Sequence, residues 1–520
     1  MALVQADPSL VLESDRLSRL PVELLLRITH YLTTPELCAV RSCSRTLECA
    51  LRHFFLLEFF RRKQFMFTEF SLQALLAIAR HPLLSQSLRH VSFGVEDYSL
   101  ANLSSPVTEE QAVNLMMATA QQKTLLANGR ALRLLAEAFS LLPNLETVQL
   151  RDFPSRTRFR DGPFEAWRSY GLCTARAQLG VESRMLLGKT DDPDFSSRAF
   201  VLLMAALAQS NARPANIEVL MHAKVTGLKN FAFDLAPVPR PGLLGVSPEN
   251  GADVDILPIL AGLRRLHLKL QFIFHPHGRG PLATDDPPLT ARSQQAAVEC
   301  LPLHAWLAHC PNIRWLRLNL HKEVRHYNNV FLKRLGSPLP AFYPLPEKSR
   351  ASRNITMPFA THLRRLDLGH ACCRRDVLLD LLSRFPALEQ LSLFRFSLMY
   401  DNSTAETAQD VWHNFLNALA KGPLGTQLTH LNLNRLGTLK QLNNTYRHTQ
   451  KTHTVMFEDE ESASYSAVFD KSLVSWLKTL PLEVERENSS DVEEEVESDY
   501  DTYSDYMSDD LDESESDDDP

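Results

Sequence analysis

The hydrophobic positions along the chain change period near residue 62. Up to that point they repeat as on a helix, and from about residue 70 short strand-like pieces recur among helical stretches. Residues 23–32 carry apolar side chains at 24, 25, 28, 31 and 32, which is one face of a helix. Thr34-Pro35-Glu36 then predicts an N-cap threonine, a first-turn proline and an early acid opening a second short helix. A third helix is expected from about Ser44 into FFLLEFF, residues 54–60. That run is apolar all round and is expected to be buried on more than one side, at the junction with the next domain.

From about residue 70 to 480 one pattern recurs, L-x-x-L-x-L. It appears as LETVQL (145–150), LRRLHL (263–268), IRWLRL (313–318), LRRLDL (363–368), LEQLSL (388–393) and LTHLNL (428–433), with weaker copies LRHVSF (88–93) and LKNFAF (228–233). The x-L-x-L half has period 2 and predicts a half-buried strand. Several copies follow a helical stretch that stops just before proline, as in AEAFSLLPNLETVQL and LLDLLSRFPALEQLSL. Helix, stop, turn and strand form one repeated unit. These units resemble leucine-rich repeats. Their starts are unevenly spaced, and the Asn or Cys three residues past the last Leu is replaced by Phe153, Gln271, His321, Ala371, Phe396 and Leu436. The resemblance therefore implies an irregular α/β solenoid without an asparagine ladder. Pro/Gly-rich inserts at 236–255, 275–290 and 336–358 are too long for tight turns and are expected to form loops on its rim, either carrying specificity or merely tolerated.

Composition changes the picture at the C-terminus. The hydrophobic fraction of 44% and charged fraction of 22% are those of a soluble globular protein. Residues 483–520, however, hold nineteen acids and one base, so the net charge of −7 leaves residues 1–482 at +11. The tail is expected to be disordered. Within it Ser490, Ser498, Ser514 and Ser516 each precede an acid by three residues, a pattern suited to acidophilic kinases. The organisation expected is thus a flexible leader (1–15), a helical unit (16–62), the repeat array (70–480) and the acidic tail (483–520).

The start of the chain has no basic stretch followed by an apolar block, and the longest apolar run, residues 199–208, is about half a membrane span. Neither a secretory signal nor a membrane partner is expected. Eight cysteines without a CxxC pair suit a reducing compartment, cytoplasmic or nuclear.

Three helices in about 45 residues have too much surface for their volume to hide every apolar side chain. Here the sequence resembles the F-box. Leu20-Pro21-Val22-Glu23, Ile28, Leu32, Leu37, Val40 and Cys43-Ser44-Arg45 stand in that family's order and spacing, and Leu47 stands where an aromatic is frequent. The resemblance implies a substrate receptor that docks a Skp-type adaptor, and through it a cullin, to present a client for ubiquitination. It places Leu20, Pro21, Leu24, Ile28 and Leu32 on the adaptor, with Val40 and Leu47 next. The alternatives are a helical cap on the first repeat, or a non-catalytic scaffold or histone-type basic-protein binder with an acidic tail and a vestigial F-box.

No nucleophile elbow, phosphate-binding loop or His-Glu-x-x-His motif occurs, so no catalytic residue, cofactor or metal is expected. His275-Pro276-His277 has no neighbouring ligands, and His370-Ala371-Cys372-Cys373 directly follows the strand LRRLDL, where Cys usually fills a tight turn. No nucleic-acid partner is expected. Arg265 and Arg365, on the solvent side of LRRLHL and LRRLDL, are either ordinary strand charge or, if the turns stack in register, a basic stripe for an acidic or phosphorylated client.

Overall fold

The computed structural model describes residues 17–96, 98, 108–153, 155–157, 159–161, 166–167, 169–179, 194–221, 227–235, 255–271, 298, 300–320, 325–335, 358–401, 407–441, 452–457, 460–467 and 472–486. The chain divides into two compact units, residues 1–187 and 188–520.

The first unit opens with helices α1 (Val22–His30), α2 (Thr34–Cys43) and α3 (Arg45–Phe60). Strands β1 (Arg62–Met66), β2 (His90–Gly94) and β3 (Thr147–Arg151) then pair in parallel, aligning Arg62 with His90 and His90 with Thr147. Phe65, Phe67, Phe93 and Phe139 fill the side of this sheet that faces its helices. The weak copy at 88–93 is thus a strand. The strand at 62–66 was masked in the sequence by its charged start, Arg62-Lys63.

The opposite side of β1–β3 is buried but polar. Ser92 Oγ donates to Gln149 Oε1 at 2.9 Å, and Gln64 Nε2 donates to Ser169 Oγ at 2.9 Å. Ser169 in turn donates to Oε1 of Glu96. A Cβ at position 94 would run into the Glu96 carboxyl, and glycine leaves that carboxyl its place. Burial raises the Glu96 pKa to about 7, against the opposing pull of the Ser169 hydrogen bond, a backbone hydrogen bond and the nearby Arg151 charge.

The second unit repeats the helix-then-strand motif. Its main sheet runs β4 (Asn216–Leu220), β5 (Arg265–Lys269), β6 (Trp315–Asn319), β7 (Arg365–Gly369), β9 (Gln390–Phe394), β11 (His430–Asn434) and β14 (Ser462–Ser466) among the described residues. All neighbours are parallel except β11 and β14. The register stacks Leu266, Leu316, Leu366, Leu391 and Leu431 in one column, and Leu268, Leu318, Leu368, Leu393 and Leu433 in another. The two final leucines of each L-x-x-L-x-L therefore make continuous apolar ribs, each side chain contributing about 1.5–3 kcal/mol on burial.

A smaller sheet flanks the late units: β8 (Cys372–Arg374), β10 (Ser397–Asp401), β12 (Gly437–Gln441), β13 (Thr452–Met456) and β15 (Glu483–Arg486). A left-handed residue makes each corner into it: His370 (φ 52°), Arg395 (φ 47°) and Arg435 (φ 48°), always four past the middle leucine. The next position, where the repeat resemblance lacks its Asn or Cys, is a buried Ala371, Phe396 or Leu436. Apolar packing fills the corner in place of an asparagine ladder.

One expected strand is corrected. LKNFAF contributes only a single bridge, Leu228 to Leu270, and Asn230–Phe233 is a short 3-10 helix. The place beside β5 is taken by Asn216–Leu220, whose Ile217 aligns with Leu266. The inserts at 236–255, 275–290 and 336–358 lie outside the described residues, apart from 255 and 358. No helix among the described residues is long and apolar enough to cross a membrane.

The Glu96 carboxyl yields a pH prediction. Folded, it holds its proton up to about pH 7, whereas its ordinary value is 4.5. The folded state thus binds the extra proton between those values, and stability is present below 4.5 and lost as pH rises through 7. That interval is worth about 3 kcal/mol. Glu96→Gln keeps the shape and removes the charge. Its urea midpoint relative to wild type should rise between pH 5 and pH 8; parallel pH profiles would show that Glu96 does not titrate there.

Candidate functional site: the N-terminal helices

The three N-terminal helices are set by local chemistry before they pack. Pro21 precedes α1, where its missing N–H is not needed. The α2 cap lies one residue earlier than expected. Thr33 is the N-cap, and its backbone N–H donates to the Glu36 carboxylate at 2.8 Å. The reason is the Thr-x-x-Glu spacing of a capping box. Hydrogen bonds from the Thr33 backbone and hydroxyl hold the Glu36 carboxyl below the usual range. Ser44 caps α3, its hydroxyl accepting from the N–H groups of Thr46 and Leu47 at 3.2 and 3.3 Å. Arg41 lies 3.4 Å from the centre of the Phe55 ring and pairs with Glu48.

Leu25, Leu37, Leu47, Leu51 and Phe59 form the core of the bundle, with Leu20, Leu32 and Val40 partly buried against it. Outside it, Leu24 is 45% exposed, Ile28 43% and Tyr31 85%. These three positions share one helical face, an i, i+4, i+7 stripe of bare apolar surface. Pro21 is exposed beside it. The structure therefore separates the residues that the sequence placed on an adaptor. Pro21, Leu24 and Ile28 are at the surface, and Leu20, Leu32 and Val40 are half-hidden. Leu47 is corrected: at 3% exposure it is a core residue, because Ser44 starts α3 so that Leu47 points between the helices. Tyr31, the most exposed of the set, stands out in the sequence only as part of the apolar periodicity.

Residues 54–60, expected to be buried on more than one side, are covered on some sides and bare on another. Phe59 is buried, but Phe54 and Leu57 are exposed. With Leu26, Thr29 and Arg160 they line a cleft of about 490 Å³. The 51/55/59 side of α3 packs into the bundle and its end also meets β1, while 54 and 57 stay outside.

Residues from much later in the chain close the turn between α1 and α2. Arg160 Nη1 donates to the carbonyls of Thr29 and Leu32 at 2.7 and 2.8 Å, and its Nη2 to Glu58 at 2.7 Å. Asp161 accepts from the Thr34 N–H at 2.7 Å and its hydroxyl at 2.6 Å. Cation and anion sit where the helix dipoles favour them, at the end of α1 and the start of α2. Nothing in the sequence near 160 signals this partnership.

In the second unit, Arg265 and Arg365 do not form an unbroken basic stripe. The strands do stack in register, but Trp315 lies between the two arginines. The guanidinium carbons stand 4.3 and 3.9 Å from its ring centre. Each arginine also meets an acid, Arg265 with Glu218 at 3.5 Å and Arg365 with Asp367 at 3.2 Å. Asp367 further accepts from the indole of Trp315 at 2.8 Å. His267 beside them is held neutral, first by burial and then by the charges of Arg317, Arg265 and Arg365. Among the described residues no three His, Cys, Asp or Glu side chains gather as metal ligands. His275, His277, Ser490, Ser498, Ser514 and Ser516 lie outside the described residues.

Two substitutions test the bundle. Arg160→Ala removes charged hydrogen bonds to two carbonyls, and should lower the stability of the first unit by about 1.5–3 kcal/mol. Leu47→Ala should cost about 2–5 kcal/mol as a core truncation, whereas Leu24→Ala should cost under about 1 kcal/mol. Chemical denaturation monitored by circular dichroism checks all three; equal losses for Leu24 and Leu47 would contradict the separation into surface and core.

No curated protein matches the chain. Residues 17–58, which span α1, α2 and nearly all of α3, match the family model of the F-box domain.

Proposed function

We propose that this protein is the substrate-recognition subunit of a cullin-type ubiquitin ligase. Its F-box docks a Skp-type adaptor, and the remainder of the chain holds a client protein. The observation that carries the reading is the bare Leu24–Ile28–Tyr31 stripe, lying within a segment that matches a domain whose members generally bind such adaptors. Pro21 and the half-hidden Leu20 and Leu32 complete the docking surface, with Val40 at its margin. The strands of the second unit are read as an irregular leucine-rich-repeat-like solenoid, which the two in-register leucine columns support. Solenoids present long surfaces suited to gripping a protein.

The subunit itself is read as non-catalytic. Its contribution is proximity: a client lysine held near a charged conjugating enzyme reacts at high effective concentration. The Arg265–Trp315–Arg365 stack offers a client the faces of planar cations rather than a free positive field, and charge-balanced recognition fits it better than capture of a phosphate. Cytoplasm or nucleus, where free thiols persist, is the compartment this role requires.

The test is capture of a purified Skp-type adaptor by the full chain and by a Leu24→Ala/Ile28→Ala variant. Wild type should retain the adaptor, and the variant should lose at least about tenfold in affinity, the equivalent of about 1.4 kcal/mol. Its melting transition should be unchanged. Absence of capture by wild type would point instead to the scaffold reading.

A further inference from the structure

Among the described residues the last strand of the main sheet, β14, leaves one edge open at Ser462 and Ser464. Among the described residues it pairs only with β11, aligning Ser462 with Asn434 and Ser466 with His430. Ala467 N–H donates to Thr429 O, and Arg435 N–H to Glu461 O, both at 2.7 Å. Antiparallel ladders alternate bonded and non-bonded pairs, so Ala463 and Tyr465 also face β11 with their backbone groups. The N–H and C=O groups of Ser462 and Ser464 therefore point away from β11.

Edges of this kind are normally blunted by proline, lysine or a bulge. SASYS has neither residue, and its register with β11 is unbroken. Alongside the edge lies a groove of about 510 Å³ lined by Asn432, Asn434, Glu460, Ser464, Trp476 and Leu480 among others. Its walls differ in character. Ser464 lies across from Asn432, giving a polar side, whereas Tyr465 packs on Trp476 with ring centres 5.7 Å apart, giving an apolar one. An added strand would send alternate side chains to these two walls.

We propose that β14 is a peptide-docking edge, which takes an extended segment of a partner protein as an additional strand. The segment it fits alternates apolar residues, toward Trp476 and Leu480, with polar ones toward Asn432 and Ser464. The exposed carboxylate of Glu460 favours a basic residue among the polar positions. On the substrate-receptor reading, on which the identity of the partner rests, that segment belongs to the client.

The experiment selects a displayed library of random short linear peptides against the full chain. Alternating peptides should be enriched, and their binding should slow hydrogen exchange at the amides of Ser462 and Ser464. Ser464→Pro removes an outward N–H without touching the β11 ladder, and should weaken binding about tenfold, the worth of one good hydrogen bond. Ser464→Ala should bind as wild type. Methylating alternate backbone nitrogens of a selected peptide should abolish binding with the protein itself unaltered. The proposal is overturned by failure to enrich any peptide, or by equal binding to folded Ser464→Pro. It is overturned equally if these two amides are already protected in the free monomer, where the chain fills its own edge. A dimer of the free chain dissolved by Ser464→Pro would assign the edge to a second copy and overturn it too. Adaptor capture, measured on the same samples, does not involve this strand, so failure of the ligase reading is scored separately.

Discussion

A bundle of three short helices has room for one layer of side chains between them. In this chain Leu25, Leu37, Leu47, Leu51 and Phe59 occupy that layer. Everything else apolar on α1 must lie against the margin or face outward. The Leu24, Ile28 and Tyr31 stripe follows from that limit: α1 carries apolar residues on more than one face, and the bundle buries one. Stability is set by the first group and availability for a partner by the second, so the two can be altered independently.

The same limit explains the clasp at the turn between α1 and α2. A bundle this small leaves its helix ends in need of partners, and Arg160 and Asp161 supply them with opposite charges at opposite helix ends. The guanidinium is nearly covered, at 10% exposure, and shared between two carbonyls and Glu58. The helices are thereby joined to the rest of the first unit by directional bonds as well as by packing. For a protein proposed to hold a partner in reach of a second enzyme, such stiffness is useful, because effective concentration depends on held geometry.

Much of the main sheet was legible because leucine at fixed spacing has one economical arrangement, a column on the covered face of parallel strands. The strand pattern is hidden where composition departs from leucine while the geometry does not. Asn216–Leu220 uses Ile217 and Val219, and Arg62–Met66 begins with two cations, yet both are strands. LKNFAF has the right letters but finds its place beside β5 already taken. The candidate site was legible as a surplus of apolar residues and as family spacing, but not as an orientation. Leu24 and Leu47 look alike in sequence, and only the start of α3 at Ser44 turns one inward. Trp315 between Arg265 and Arg365, and the bonds from Arg160, required long-range register that no local pattern carries.

The central claim is that the α1 stripe is bare in the free protein and becomes covered by an adaptor. Hydroxyl-radical footprinting of the full chain, alone and with a purified Skp-type adaptor, measures this at the side chains concerned. Alone, Tyr31, Ile28 and Leu24 should oxidise far faster than Leu25 and Leu47. With the adaptor they should fall several-fold while Phe54 and Leu57 stay unchanged. Slow oxidation of Tyr31 in the free protein, or rates on α1 indifferent to the adaptor, would contradict the account.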